Sequence, residues 1–480
     1  MQMGAPLAIL NVVMGGEFTV RAFESELAEI RFGCGLSPVI APATSVETML
    51  AGITAPDTMA ARFEIEPFDS FRARMVESDR LRRIQRDKRG KPEAKVARKD
   101  RNLLKKAARI DMVRWLGLSM LRRTYTETGF FERLVYFWGD HFSATGKAGL
   151  IRRATSPYIE DGIRPFVGGR YADLLISAVT HPVMLQYLDQ DRSMGPDSAR
   201  ALKRGKAAGL NENLAREVME LHTLGVDGPY TQDDVRELAE LFTGLSFQPK
   251  QGRKFRKDYV EPGAETVMGK TYADAYSMKP VRAVLEDLAV HPATARHLSW
   301  KLAVHFVSDT PDPALIDHVS ARYLETDGDL MQVYAALLEH PAAWTQERAN
   351  IKRPVDFVGS SMRALAVDPA AVIQLDERET RNLLLTPMVL MGQTWQKFSG
   401  PDGWPEEDEA WLSPQGLSGR VRWAMSGPQV LRPDLPDPRE FVETALGSRA
   451  SDEVTFAATA AESKSEAIGL VLMSPAFQRC

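Results

Sequence analysis

Apolar residues recur at three- and four-residue intervals along most of the chain, the spacing of one buried helix face, while runs of alternating β-branched residues are nearly absent. The pattern predicts an aromatic-rich helix over 130–142, ending in Phe137-Trp-Gly-Asp-His-Phe142, and a second over 213–224, stopped by Gly225, a residue type that tolerates a left-handed cap. A third begins with a strong start signal. Thr231 is placed as N-cap, Asp234 follows three residues on, and Tyr230 and Val235 have the spacing of a hydrophobic staple; this helix stops at Gly244. Further helices are predicted over 172–180, 280–290, 293–306, 313–325, 329–339 and 354–366. Strands are expected only near 245–272, where Gly, Pro and Lys punctuate short apolar pieces such as Glu265-Thr-Val-Met-Gly269. The fold class is therefore mainly α, a multi-helix globular body with one small irregular or two-stranded β insertion.

Three of the eight histidines precede proline, at His181-Pro182, His291-Pro292 and His340-Pro341, each after an apolar helical run, and Ser474-Pro475 is a weaker fourth case. Proline drives the residue before it out of the α region and suits the first position of the next helix. These pairs read as helix–corner–helix joints rather than as a set of histidine ligands.

Charge is distributed unevenly. Residues 72–109 hold sixteen Lys or Arg against five Asp or Glu, a net of +11, so the overall net of -4 leaves -15 on the remainder. Gly90-Lys91-Pro92 divides this segment into two helices with sparse apolar positions, which predicts a solvated helical hairpin projecting from the body. Its functional alternative is a docking surface for an anionic protein partner. Nucleic acid is disfavoured, because no aromatic residue lies between Phe71 and Trp115 for bases to stack on and the chain as a whole is nearly charge-balanced.

With 480 residues, 44% hydrophobic and 26% charged, the chain can bury a large core without covalent staples. Its two cysteines, Cys34 and Cys480, exclude a disulfide framework or a cysteine-based zinc site. No window has the uninterrupted apolar length of a membrane span. The N-terminal apolar stretch lacks a preceding Lys or Arg, so residues 1–24 are expected as a poorly ordered extension and 25–480 as a single large helical domain. The cytoplasm is the default location, with export left open.

The densest polar constellation is Asn211-Glu-Asn-Leu-Ala-Arg-Glu-Val-Met-Glu-Leu-His222. At 100° per residue Asn213, Arg216, Glu217 and Glu220 share one broad face, and His222 lies roughly opposite Asn213. Glu212, Arg216 and Glu220 also form an i, i+4, i+8 ladder, so a solvated salt-bridge face, a buried network and a functional site all remain open. In the helix over 130–142, Asp140 shares a face with Tyr136 and Glu132, whereas His141 points about 100° away, beside Phe137. His297, Lys301 and His305 repeat at four-residue spacing, and the lysine between them favours an exposed or anion-facing stripe over a metal site. The loop Pro401-Asp-Gly-Trp-Pro405 and the nearby Trp411 either pack onto the body or wall a pocket. Zinc-helix, calcium-loop, phosphate-loop, Rossmann and serine-elbow motifs are all absent.

Together Phe137–Phe142, His181-Pro-Val-Met-Leu-Gln-Tyr-Leu-Asp189, Asn211–Gly225, Tyr230–Val235, His291-Pro-Ala-Thr-Ala-Arg296 and Pro401–Pro405 resemble the family called domain of unknown function 1800. The resemblance runs from about Ile30 to the C-terminus. It implies a bacterial protein without an assigned reaction, often exported and often encoded beside a sulfatase-like companion, and it transfers no catalytic role. Two function classes follow. One is an enzyme of unknown reaction whose polar site lies on the helices over 130–143 and 211–224 with Asp234 nearby. In it Glu217, Glu220, His222 and His141 would be catalytic, Asn213 and Arg216 would orient an anionic group or substrate, and a divalent cation of unknown identity could be bound. The other is a non-catalytic scaffold or maturation partner for another protein, such as the sulfatase-like companion.

Overall fold

The hydrophobic periodicity becomes helices packed around one extended apolar core. The computed structural model describes residues 23–204, 209–273 and 276–480. Most of the expected extension, residues 1–22, lies outside the described residues. Its last two residues are anchored: Phe23 packs edge-on against Trp344 with ring centroids 5.2 Å apart, and the Glu24 carboxylate accepts from Arg449 at 2.5 Å.

The basic segment forms a hairpin of α1 (Phe68–Asp87) and α2 (Pro92–Tyr125), with Pro92 at the first helical turn as its sequence position requires. α2 runs well past the basic segment. Where Trp115-Leu-Gly-Leu-Ser-Met-Leu121 replaces the lysines, the same helix enters the core. The base of the hairpin is tied down by Arg74 to Glu66 (2.7 Å) and Asp111 (2.5 Å), and by Arg72 to the Pro249 carbonyl (2.7 Å). Of its sixteen bases, Arg72, Arg74, Arg80, Arg86 and Arg109 have an acidic partner; the other eleven have none among the described residues.

Next come α3 (Gly129–His141) and α4 (Tyr171–Val179). The helix predicted over 213–224 forms in two parts, α5 (Asn213–Glu217) and a π-turn (Val218–His222) whose end is fixed by the Thr223 hydroxyl donating to the Val218 carbonyl at 2.7 Å. α6 (Gln232–Leu241) starts with the expected capping box: the Thr231 hydroxyl accepts the Asp234 N–H, and the Asp234 carboxylate accepts the Thr231 N–H at 2.8 Å. Tyr230 and Val235 both pack on the core, as a staple does. The insertion is larger than the expected single pair. Two antiparallel hairpins form, β1 (Leu245–Gln248) with β2 (Gly252–Phe255), and β3 (Glu265–Val267) with β4 (Lys270–Tyr272). After it come α7 (Pro292–Phe306) and α8 (Pro354–Ala364), the latter buried along its whole length beside α2.

The His-Pro pairs are helix corners. At His181, His291 and His340 the imidazole Nδ1 accepts the backbone N–H two residues on, at 3.2, 3.1 and 3.2 Å, with proline at the start of the new helix. Ser474 plays the same part for Phe477 at 3.3 Å. Each ring is therefore an N-cap in its neutral form. Replacing His291, which is only half-buried, with Ala is expected to cost about 0.5–2 kcal/mol of stability, while His291→Asn, an intrinsically good cap, should recover most of it. Urea denaturation of the two variants checks this, and equal losses in both would refute the capping role.

Candidate functional site

The sequence places Glu132, Tyr136 and Asp140 four residues apart on α3, and in the folded chain this stripe floors a narrow cleft with a cavity volume of about 70 Å³. Arg122 and Arg123 from the buried end of α2 form one side; Glu160 and Arg164 form another. Trp395, Phe398 and Trp404 supply aromatic walls, with Gln393 and Gln396 between them. The loop over 401–405 thus walls a pocket through Trp404, while Trp411 packs into the body.

Every charge in this lining is compensated from within. Arg122 pairs with Glu160 at 2.7 Å, Arg164 with Glu132 at 2.5 Å and with Asp57, and Arg123 with Asp356. Asp140, 5% exposed, accepts from Arg353 at 3.1 Å and from the Trp404 N–H at 3.0 Å. Gln393 donates to the Tyr136 hydroxyl at 2.6 Å. The 401–405 turn can lie this close only because Gly403, at φ +85°, carries no side chain. A Cβ there would sit 2.8 Å from the Asp140 carbonyl and 2.9 Å from its carboxylate.

Arg353 is shared between Asp140 and Glu406, and Glu406 also receives the His305 ring at 3.1 Å. Both carboxylates are desolvated, which opposes ionisation. Glu406, closer to the guanidinium and with a second donor, is held well below the usual carboxylate range. Asp140, desolvated and facing the Glu406 charge, is pushed up to about 6. His305 was expected on an exposed or anion-facing stripe. It does face an anion, but it is buried rather than exposed, and burial pushes it down to about 4.

On another side of α3 the His141 ring meets the His222 ring with centroids 5.5 Å apart, and His297 at 6.5 Å. His222 therefore does not sit as a lone histidine among apolar neighbours. The π-turn changes the phase of its helix and brings it against His141, which a uniform 100° step does not anticipate. Burial holds all three rings below the ordinary imidazole range, His222 to about 3 and His297 to about 4.

Glu217, Glu220, Asn213 and Arg216 do not join either cluster. Arg216 bonds Glu220 (3.2 Å) and Glu212 (3.3 Å), the expected surface ladder, and also Gln232 (2.9 Å). Glu217 is half-buried beside Glu220 and Asp402, and its carboxyl rises to about 7 through desolvation and those two charges. Asp402 belongs to the loop that walls the cleft, so Glu217 and Asp140 approach the same loop from different elements. Asp234 is committed elsewhere: besides its capping box it accepts the Met268 N–H at 2.7 Å, anchoring the second β-hairpin. Among the described residues Glu237, Glu240 and Glu265 alone bring three carboxylate or imidazole ligand atoms within 4.8 Å of one another; the histidine rings are set wider. The Glu265 carboxyl is pushed up by desolvation and by the neighbouring glutamates Glu240 and Glu237.

His305 gives a pH signature. Unfolded it binds a proton near pH 6.5 and folded only near 4, so the unfolded state gains protons first as pH falls. Its contribution to stability is whole above about 6.5 and is lost towards 4, at up to roughly 1.4 kcal/mol per pH unit. The stability advantage of the wild type over His305→Gln should therefore narrow between about pH 7 and pH 5 in denaturant titrations. A gap that stays flat or widens would contradict the assignment.

The residues this site adds to those expected from sequence are Arg353, Glu406, Gln393 and the arginines 122, 123 and 164. The available signal was Arg353-Pro354 opening the largely apolar helix predicted over 354–366, where a charged residue at the N-cap is drawn towards the interior. No helix among the described residues is long and apolar enough to cross a membrane. No curated protein and no solved structure matches the chain. One family model, described as a protein of unknown function (DUF1800), matches residues 31–479. Covering nearly the whole chain, that match places the protein in the DUF1800 family.

Proposed function

We propose that the chain is an enzyme acting in the α3 cleft on a small uncharged molecule with a ring-bearing, largely apolar body and one polar head. The observation that carries this reading is the buried Asp140 carboxylate at the floor of an aromatic-walled cleft whose other charges are already paired. A charged ligand would find no free counter-charge there and would lose its hydration. An uncharged ring gains contact with Trp395, Phe398 and Trp404. Asp140 is the group placed to exchange a proton with the polar head, because Arg353 and the Trp404 N–H fix its carboxylate while one side faces the cleft. Glu217, on the far side of the same loop, is a second acid–base candidate acting through Asp402's neighbourhood rather than from the cleft floor.

A panel of uncharged aromatic esters, amides and glycosides tests this. Turnover is expected for at least one class, falling roughly 10²–10⁴-fold in Asp140→Asn with binding retained. Trp404→Ala should weaken binding itself. Binding without turnover would reduce the site to a binding module, and binding restricted to anionic compounds would overturn the reading.

A non-catalytic scaffold or maturation role is the second reading, supported by the eleven hairpin bases without acidic partners among the described residues. An anionic protein partner held there would dissociate as salt rises from about 0.1 M to 1 M, where the screening length falls from about 10 Å to 3 Å. Binding that resists salt would exclude the hairpin as its basis.

A further inference from the structure

We propose that His141, His222 and His297 form a binding site for a first-row divalent transition-metal ion, zinc foremost. The site is separate from the cleft and does not depend on the reading of Asp140.

Three imidazoles from α3, the π-turn after α5, and α7 gather in one place. His222 is 1% exposed, and neither ring nitrogen has a hydrogen-bond partner; the His141 carbonyl approaches the ring without reaching bonding geometry. The Nδ1 of His141, which is 3% exposed, is also unpartnered. A buried polar atom left unsatisfied costs about 1–3 kcal/mol, so two such rings in contact call for a ligand.

The tautomer of His141 can be read from its neighbours. The Tyr171 hydroxyl donates to the His222 carbonyl, so it can only accept from His141 Nε2, 3.2 Å away. Nε2 therefore carries the proton and Nδ1 presents a bare lone pair. His297 is fixed likewise, its Nε2 donating to the Leu221 carbonyl at 3.1 Å. An imidazole whose second nitrogen donates to a protein oxygen is the usual arrangement of a metal-ligating histidine, because the donated bond orients the ring and raises its basicity. All three rings are held neutral by burial, the form that binds metal.

The spacing fits the first two ligands. Two imidazoles on one tetrahedral ion place their centroids roughly 5 Å apart, and His141 and His222 stand at 5.5 Å. His297, at 6.5 Å and at the half-buried edge beside Gly225, is the ligand that closes. Nitrogen-only donors select zinc, cobalt, nickel or copper over calcium or magnesium. Lys301, one turn beyond His297 on α7, is the opposing charge: it disfavours protonation of all three rings, and by the same field it weakens any bound cation.

That opposition supplies the sharpest test. Full-length protein made without a histidine tag is titrated with Co²⁺ and with Zn²⁺, following visible d–d absorption and calorimetry. One equivalent is expected with Kd below about 1 μM. His222→Ala should abolish the cobalt spectrum. His297→Ala, at the half-buried edge, should weaken binding at least roughly tenfold while leaving the melting temperature of the metal-free protein nearly unchanged. Lys301→Met should tighten binding several-fold. His291→Asn is the control and should bind normally. The proposal fails if neither ion binds at micromolar concentration, if binding survives in both His222→Ala and His297→Ala, or if Lys301→Met weakens it.

Discussion

One guanidinium organises the centre of this protein. Arg353 caps the start of α8 and, with 5% of its surface exposed, lies between Asp140 at the end of α3 and Glu406 in the loop after Trp404. Glu406 in turn receives His305 from α7. Three helices and a long loop thus meet through one buried cation. Such a cation is stable only while both its carboxylates are present, since desolvation of an unpaired charge costs several kcal/mol. The arrangement leaves two anions on one cation, and the inequality between them is chemically useful. Glu406 takes the closer contact and the imidazole, while Asp140 is left with the looser bond and an open side toward the cleft.

Neighbouring buried ions extend the same logic. Arg363 of α8 is fully buried and gives its guanidinium to the carbonyls of Arg123, Thr124 and Thr126, at 3.1, 3.2 and 2.8 Å, where α2 runs out of helical donors for them. Asp356, one turn after Arg353, holds Arg123 and faces Arg133 at 3.7 Å. α8 and its N-cap therefore place three charged side chains within the core, which together tie the helix to α2, to α3 and to the loop after Trp404. The cleft inherits its shape from this: α2, α3 and the 401–405 loop are positioned by charges that are used up among themselves, which is why the cavity offers shape and aromatic surface rather than a net field.

Helices and caps were legible in the sequence because they are local. The 3.6-residue pattern, the Thr231 box and the His-Pro corners each state their structure within a few residues. The shared face of Glu132, Tyr136 and Asp140 was equally readable, and it became the cleft floor. What the pattern could not carry was anything requiring a change of period. Glu160 and His222 both sit in π-turns, at Ile159–Ile163 and Val218–His222, where a step of 100° per residue misplaces every following side chain. This is why a uniform helix puts His222 opposite Asn213 on an apolar face, whereas in the fold it meets His141. Arg353 and Glu406, 53 residues apart, had no local signal linking them. The ladder on α5 read correctly as a ladder, and its prominence in sequence reflected helix-surface pairing more than a buried centre.

The separation of charge along the chain follows from the same economy of pairing. Around the cleft, the buried arginines and carboxylates pair among themselves. On the hairpin, eleven bases stand without an acidic partner among the described residues, and the rest of the chain carries the opposite excess. The positive pole of the molecule therefore lies on the basic part of the hairpin, away from the cleft, while the charges lining the cleft are paired. A small ligand entering it would be selected by contact, and a large anionic partner would be gathered by the hairpin at distances a small ligand never senses. Whichever of the two roles dominates, the fold keeps them on different parts of α2: the basic half outside, and the half bearing Arg122 and Arg123 at the wall of the site.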